Sequence, residues 1–102
     1  MEKLKGMKKI EVITLDSKKY PKLLKKIDNM PQKLYVEGNV DILDNTAISI
    51  IGSRCCSNDG AKIARKIAYD LAYQNITIVS GMARGIDTAA HIGALEAGGK
   101  TI

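Results

Sequence analysis

Cysteine and histidine are almost missing from this chain. The two cysteines, Cys55 and Cys56, are adjacent, a spacing that a disulfide framework does not use. With His91 as the single imidazole they do not complete a four-ligand zinc site, so no metal is expected. No apolar run approaches membrane-spanning length, and the N-terminus lacks the apolar core of a signal peptide, so the expected location is cytoplasmic. There is no G-x-G-x-x-G fingerprint, and no Gly-Lys-Ser/Thr follows a glycine at the spacing of a Walker A loop. A nicotinamide or flavin cofactor and an NTPase site therefore find little support, and no cofactor is expected. The Gly-x-Ser-x-Gly nucleophile elbow is absent too.

What is present is a 102-residue chain, 45% hydrophobic, enough for one modest core. Its formal net charge of +5 favours an anionic partner such as nucleic acid. The excess lies in residues 1–33, where ten lysines face Glu2, Glu11, Asp16 and Asp28; a solvated lysine-rich surface is the simpler account of it. Beyond residue 33 the balance is close to neutral, and Arg54 and Arg84 stand as isolated positives.

The stretch Thr46 to Arg54 organises the rest. Its uncharged, β-branched middle predicts a strand covered on both faces in a parallel sheet, ending at Gly52. Ser57 or Asn58 is placed to cap a helix running to about Gln74, with Ala61, Ala64, Ile67, Ala68, Leu71 and Ala72 on its apolar face. Ile76 to Val79 is a second buried strand, followed by Ser80-Gly81-Met82-Ala83-Arg84-Gly85 and a helix over Ile86 to Ala97 that Gly98-Gly99 stops. Lys100 to Ile102 opens a third strand. Ahead of this unit, Met1 to Lys9 is expected to be frayed. Ile10 to Leu15 and Leu34 to Glu37 read as short strands, with helical turns after Tyr20-Pro21 and at Val40 to Leu43. The unfinished third strand predicts a piece of a larger domain, truncated after the second helix: a lead-in over 1–45, then the first half of a sheet domain over 46–102.

Each glycine turn follows a strand, precedes a helix and carries one arginine. Free backbone N–H groups at such a turn suit an anion, and two turns side by side would converge on one pocket. The competing account is that glycine serves the tight turn and each arginine faces water. A hydrolase would need Ser53 or Ser80, His91, and Asp87 or Asp59. Asp87 and His91, four apart, share a helix face. The simpler role of Asp87 is to bond free N–H groups in the first helical turn. Cys55 and Cys56 read as inert loop residues.

Tyr20-Pro21 with Leu24 and Ile27, Pro31, Leu34-Tyr35, Gly38, Ile51-Gly52-Ser53-Arg54, Gly60, and Ser80-Gly81-Met82-Ala83-Arg84-Gly85-Ile86-Asp87 with Ala90-His91 and Gly99 to Ile102 resemble the DNA-processing protein A family (DprA, also called Smf). The resemblance spans about Tyr20 to Ile102. It implies an α/β fold with a three-layer parallel sheet, an extended Rossmann-like domain. It also implies a non-enzymatic protein that binds single-stranded DNA, helps load RecA in natural transformation, and forms a homodimer at full length. Gly52, Ser53 and Arg54 map onto the family's positive pocket for the DNA backbone, with Ser80, Gly81, Arg84 and Gly85 bordering it. The alternative function is a Rossmann-like enzyme hydrolysing nucleoside monophosphates. Four tyrosines are the only aromatic residues, and none adjoins a glycine turn, so the sequence offers no obvious platform for base stacking.

Overall fold

The computed structural model of the chain describes residues 9–102 and divides at Asp44/Asn45 into two compact units. The fraying expected before Lys9 lies outside the described residues.

In the first unit, strands β1 (Ile10–Thr14) and β2 (Lys33–Glu37) form an antiparallel pair in the register Ile10↔Glu37 to Thr14↔Lys33. Its centre is small. Ile13 and Tyr20 are buried to 1% exposure, and the Tyr20 hydroxyl donates to the Pro31 carbonyl at 2.7 Å, which gives the one polar atom of a buried ring its partner. A 3₁₀ turn covers Leu24–Lys26, and Lys25 lies over the Tyr20 ring. A second turn, Val40–Ile42, is capped by Asn39, whose side chain accepts from the Asp41 N–H.

The second unit runs β3 (Ala47–Ser49), α1 (Asn58–Tyr73), β4 (Thr77–Val79) and α2 (Ile86–Glu96). β3 and β4 are parallel, and Thr101 adds a parallel bridge to Ile78, so β4 is central. Ser57 caps α1 by accepting from the Gly60 N–H at 3.0 Å, and Asn75, with φ of 68°, turns the chain out of it. The core consists of Ala68, Ala72, Ile78, Ala90 and Ala94, flanked by Ile50, Leu71 and Ala97.

Two expectations change here. Ile67, assigned to the inner face of α1, is 47% exposed, while Ala64, Ala68 and Ala72 are buried. The helices approach so closely that only small side chains fit the seam. A Cβ added to Gly93 of α2 would lie 2.1 Å from the Arg65 carbonyl oxygen of α1. β3 is also not covered on both faces, since Ala47, Ile48 and Ser49 are all exposed. The strand order steps in one direction, from β3 to β4 to Thr101, and Ala68 and Ala72 of α1 share one buried cluster with Ile78 of β4 and Ala90 and Ala94 of α2, so both helices lie on one side of the strands. Among the described residues the unit thus has two layers, one of strands and one of helices, where three were expected.

Candidate nucleic-acid interface

The two glycine turns meet at the carboxyl ends of β3 and β4. Ile50 N–H donates to the Val79 carbonyl at 2.9 Å, extending the ladder by one residue. The Ser80 hydroxyl then donates to the Ile50 carbonyl at 2.6 Å, joining the strand ends. Gly52 lies against α2, where a Cβ would come within 2.7 Å of Ile86 Cγ1. Gly85 has φ of 80° and lies against the first turn, where a Cβ would be 2.3 Å from the Ser53 carbonyl oxygen and 2.9 Å from that of Arg54. Its backbone conformation and its close neighbours both demand glycine. The Ser53 carbonyl accepts from the Ile86 N–H at 3.2 Å, so the first turn caps the helix that follows the second.

Asp87 organises this junction. It is buried, and its carboxylate collects N–H groups from both turns: Gly52 at 3.3 Å on one oxygen, Gly81 at 3.1 Å and Ala83 at 3.4 Å on the other. These bonds satisfy a buried charge that would otherwise be costly. They also correct the expected chemistry. The N–H groups of Gly52 and Gly81 are engaged by an internal carboxylate, and the Ile86 N–H by Ser53, so these three donors are not open to an external anion.

Each candidate residue thus has a definite place. Gly52, Gly81 and Gly85 shape the junction, and Ser80 ties the strand ends together. The Ser53 side chain accepts from the Cys55 N–H at 3.0 Å. Arg54 and Arg84 are exposed on the abutting turns, and among the described residues neither enters an ion pair. They are the cations that the two turns leave unpaired. Within the second turn, Met82 is 81% exposed with φ of 61°.

The hydrolase constellation does not assemble. Asp87 faces the turns, whereas His91 Nδ1 lies 2.7 Å from Thr101 Oγ1, and the Thr101 hydroxyl donates to the Ile78 carbonyl at 2.8 Å. With that proton committed, Nδ1 donates to the Thr101 oxygen, and the buried Nε2 has no partner among the described residues. His91 therefore pins Thr101 to β4.

Sequence reasoning missed the reach of Asp87 to Gly52, 35 positions away. Its signal was an acidic residue in the first helical turn, which announces contact with nearby N–H groups but not with a distant strand end. Lys62 and Arg65, exposed on α1, line a hollow beside Arg84, a proximity that no local sequence signal marks.

The family model for DNA recombination-mediator protein A matches residues 11–102. DNA processing protein DprA of Streptococcus pneumoniae is 47% identical over 83 residues, which cover 81% of this chain and 29% of that protein. Protein Smf of Escherichia coli is 38% identical over 91 residues, covering 89% and 24% respectively. Among solved structures, the X-ray structure of DprA from Streptococcus pneumoniae superposes with a TM-score of 0.82 at 40% identity, over 96% of this chain and 34% of that one. DprA from Helicobacter pylori, whose structure is described as revealing a unique single-stranded DNA binding mode, superposes with a TM-score of 0.74 at 32% identity, over 89% and 40%. The chain spans less than a third of the length of these two curated relatives. Matched along almost its whole described length by that family model, by these relatives and by these folds, the chain belongs to the DNA recombination-mediator protein A family, the DprA/Smf proteins.

Proposed function

We propose that this chain binds single-stranded DNA by its sugar–phosphate backbone, without catalysis, at the rim formed by the two glycine turns. The observation that carries this reading is the abutment of two turns that each present an exposed arginine without an ion-pair partner, Arg54 and Arg84. Gly52, Ser53, Ser80, Gly81 and Gly85 hold those turns in place, and Asp87 fixes the backbone from beneath. Guanidinium groups on a rigid rim suit phosphates and carry no base specificity of their own. The engagement of Ser53, Ser80, Asp87 and His91 in structural bonds supports a non-enzymatic role.

In this reading residues 1–45 are the lead-in and 46–102 the first half of an extended Rossmann-like domain, whose second helical layer would cover the open face of β3. The whole protein acts in the cytoplasm in natural transformation and recombination, helping to load RecA onto the strand, and works as a homodimer.

Fluorescence anisotropy of the chain with labelled oligo(dT), oligo(dC) and oligo(dA) over a salt series provides the test. Arg54→Ala should weaken all three alike and flatten the log–log salt slope by about 0.7, the contribution of one single-strand phosphate contact. An affinity and slope equal to the unsubstituted chain would refute the assignment, as would an unsubstituted chain that binds none of the three.

A further inference from the structure

Beside the rim, between the first halves of α1 and α2, lies a hollow of about 430 Å³. Ala61, Gly85, Ala89 and Ile92 give it an apolar floor, and Lys62, Arg65 and Arg84 stand around it. It exists because the helix seam is built of small residues: the closeness that keeps bulky side chains out of the seam leaves a shallow trough above it.

The charges are not equivalent. Arg65 forms a two-pronged ion pair with Glu96, and this hydrogen bonding pushes its pKa up. The Glu96 carboxylate and the Arg65 guanidinium thereby offset each other. Lys62, which is exposed, and Arg84 have no ion-pair partner among the described residues. Arg84 also belongs to the second glycine turn, so the hollow is continuous with the rim and not a separate site.

We propose that this hollow is a second subsite for the same strand, taking the nucleotide next to those held at the rim, with its phosphate between Arg84 and Lys62 and its base on the floor of Ala61, Ala89 and Ile92. This deepens the single-strand reading and rests on it. The combination of apolar floor and paired cations fits a phosphorylated planar group, because phosphate draws the cations while the base face covers aliphatic surface. The subsite answers the shortage of aromatic residues at the turns: aliphatic side chains provide the cover that rings provide in other single-strand binders. It also gives the strand a direction of travel, from the strand ends over the helix layer.

The experiment compares a short oligo(dT) of about four nucleotides with a longer one of about twelve, within the range of single-strand site sizes. Lys62→Ala sits on an exposed helical surface and introduces the best helix former, so folding is preserved. It should leave the short oligomer's affinity unchanged, weaken the long one about fivefold at low salt and lower its salt slope by about 0.7. Ile92→Glu, which places a negative charge on the floor, should weaken the long oligomer more than Lys62→Ala does, with circular dichroism reporting that the helices remain. Equal affinities of Lys62→Ala and the unsubstituted chain for the long oligomer, while Arg54→Ala weakens both lengths, would overturn the subsite and leave the rim standing. An equal loss on both lengths would overturn it too, by making Lys62 a contributor to the general field. Failure of Arg54→Ala to weaken either length would remove the rim and the subsite together.

Discussion

Substitution of Asp87 gives the strongest test of how the two turns are held. Its carboxylate accepts from Gly52, Gly81 and Ala83 at 3.1 to 3.4 Å. Hydrogen bonds to a charged acceptor contribute about 1.5–3 kcal/mol each, and these long ones belong at the low end. Gly52 and Gly81 are exposed, so water replaces part of what Asp87→Ala removes. The lost interaction with the positive end of α2 adds about 0.3–1 kcal/mol. The net expectation for Asp87→Ala is a loss of about 2–4 kcal/mol. Asp87→Asn keeps one accepting oxygen and turns an NH₂ towards N–H donors, so about 1–2 kcal/mol is expected. Urea unfolding of the chain followed by far-ultraviolet circular dichroism reads both, since α1 and α2 carry the signal, and the slope with urea should be unchanged. A loss below about 0.5 kcal/mol for Asp87→Ala, the range of ordinary surface changes, would refute the anchoring role. An Asn variant as costly as the Ala variant would assign the effect to charge at the helix start and not to the three-donor contact.

Two further outcomes follow from the helix pair. Gly93→Ala brings a methyl group to 2.1 Å from the Arg65 carbonyl oxygen and 3.1 Å from Ala68 Cβ. The gain in helix propensity of about 1 kcal/mol is outweighed by overpacking, which costs about 1–3 kcal/mol or more against backbone that cannot yield, and Tm should fall by at least several degrees in a thermal melt. The Arg65 hydrogen bond holds the Glu96 carboxyl below its ordinary value of 4.5. A carboxylate depressed in the folded state contributes stability above its unfolded value, and that contribution disappears as pH falls through the folded one. The urea midpoint of the chain should therefore decline on acidification below 4.5 more steeply than that of Glu96→Gln, by a small amount because both partners are exposed.

Much of the architecture was legible because it is written in local periods. Three- and four-residue spacing of alanines marked the first helix, Ser57 marked its start, and the uncharged stretch from Thr46 that ends at Gly52 and the run Ile76 to Val79 marked strands, which form over Ala47–Ser49 and Thr77–Val79. Arg54 and Arg84 could be singled out for the same reason: each is the lone cation in a glycine turn between strand and helix. The turns were expected side by side, and Gly85 does lie against Ser53 and Arg54. Ile67 was misplaced because periodicity gives the direction of an apolar face but not its width, which the closeness of the partner helix sets.

Chain order alone determined the alternation of strands, turns and helices and the chemistry carried at each turn, because short-range sterics and hydrophobic spacing act within a few residues. Only the folded unit decided which polar groups remain available. Asp87 reached across to Gly52, His91 turned to Thr101 instead of Asp87, and the Gly52 and Gly81 N–H groups were taken up internally. Hydrogen-bond partnership depends on ångström-scale proximity between residues far apart in the chain, and no sequence period encodes it.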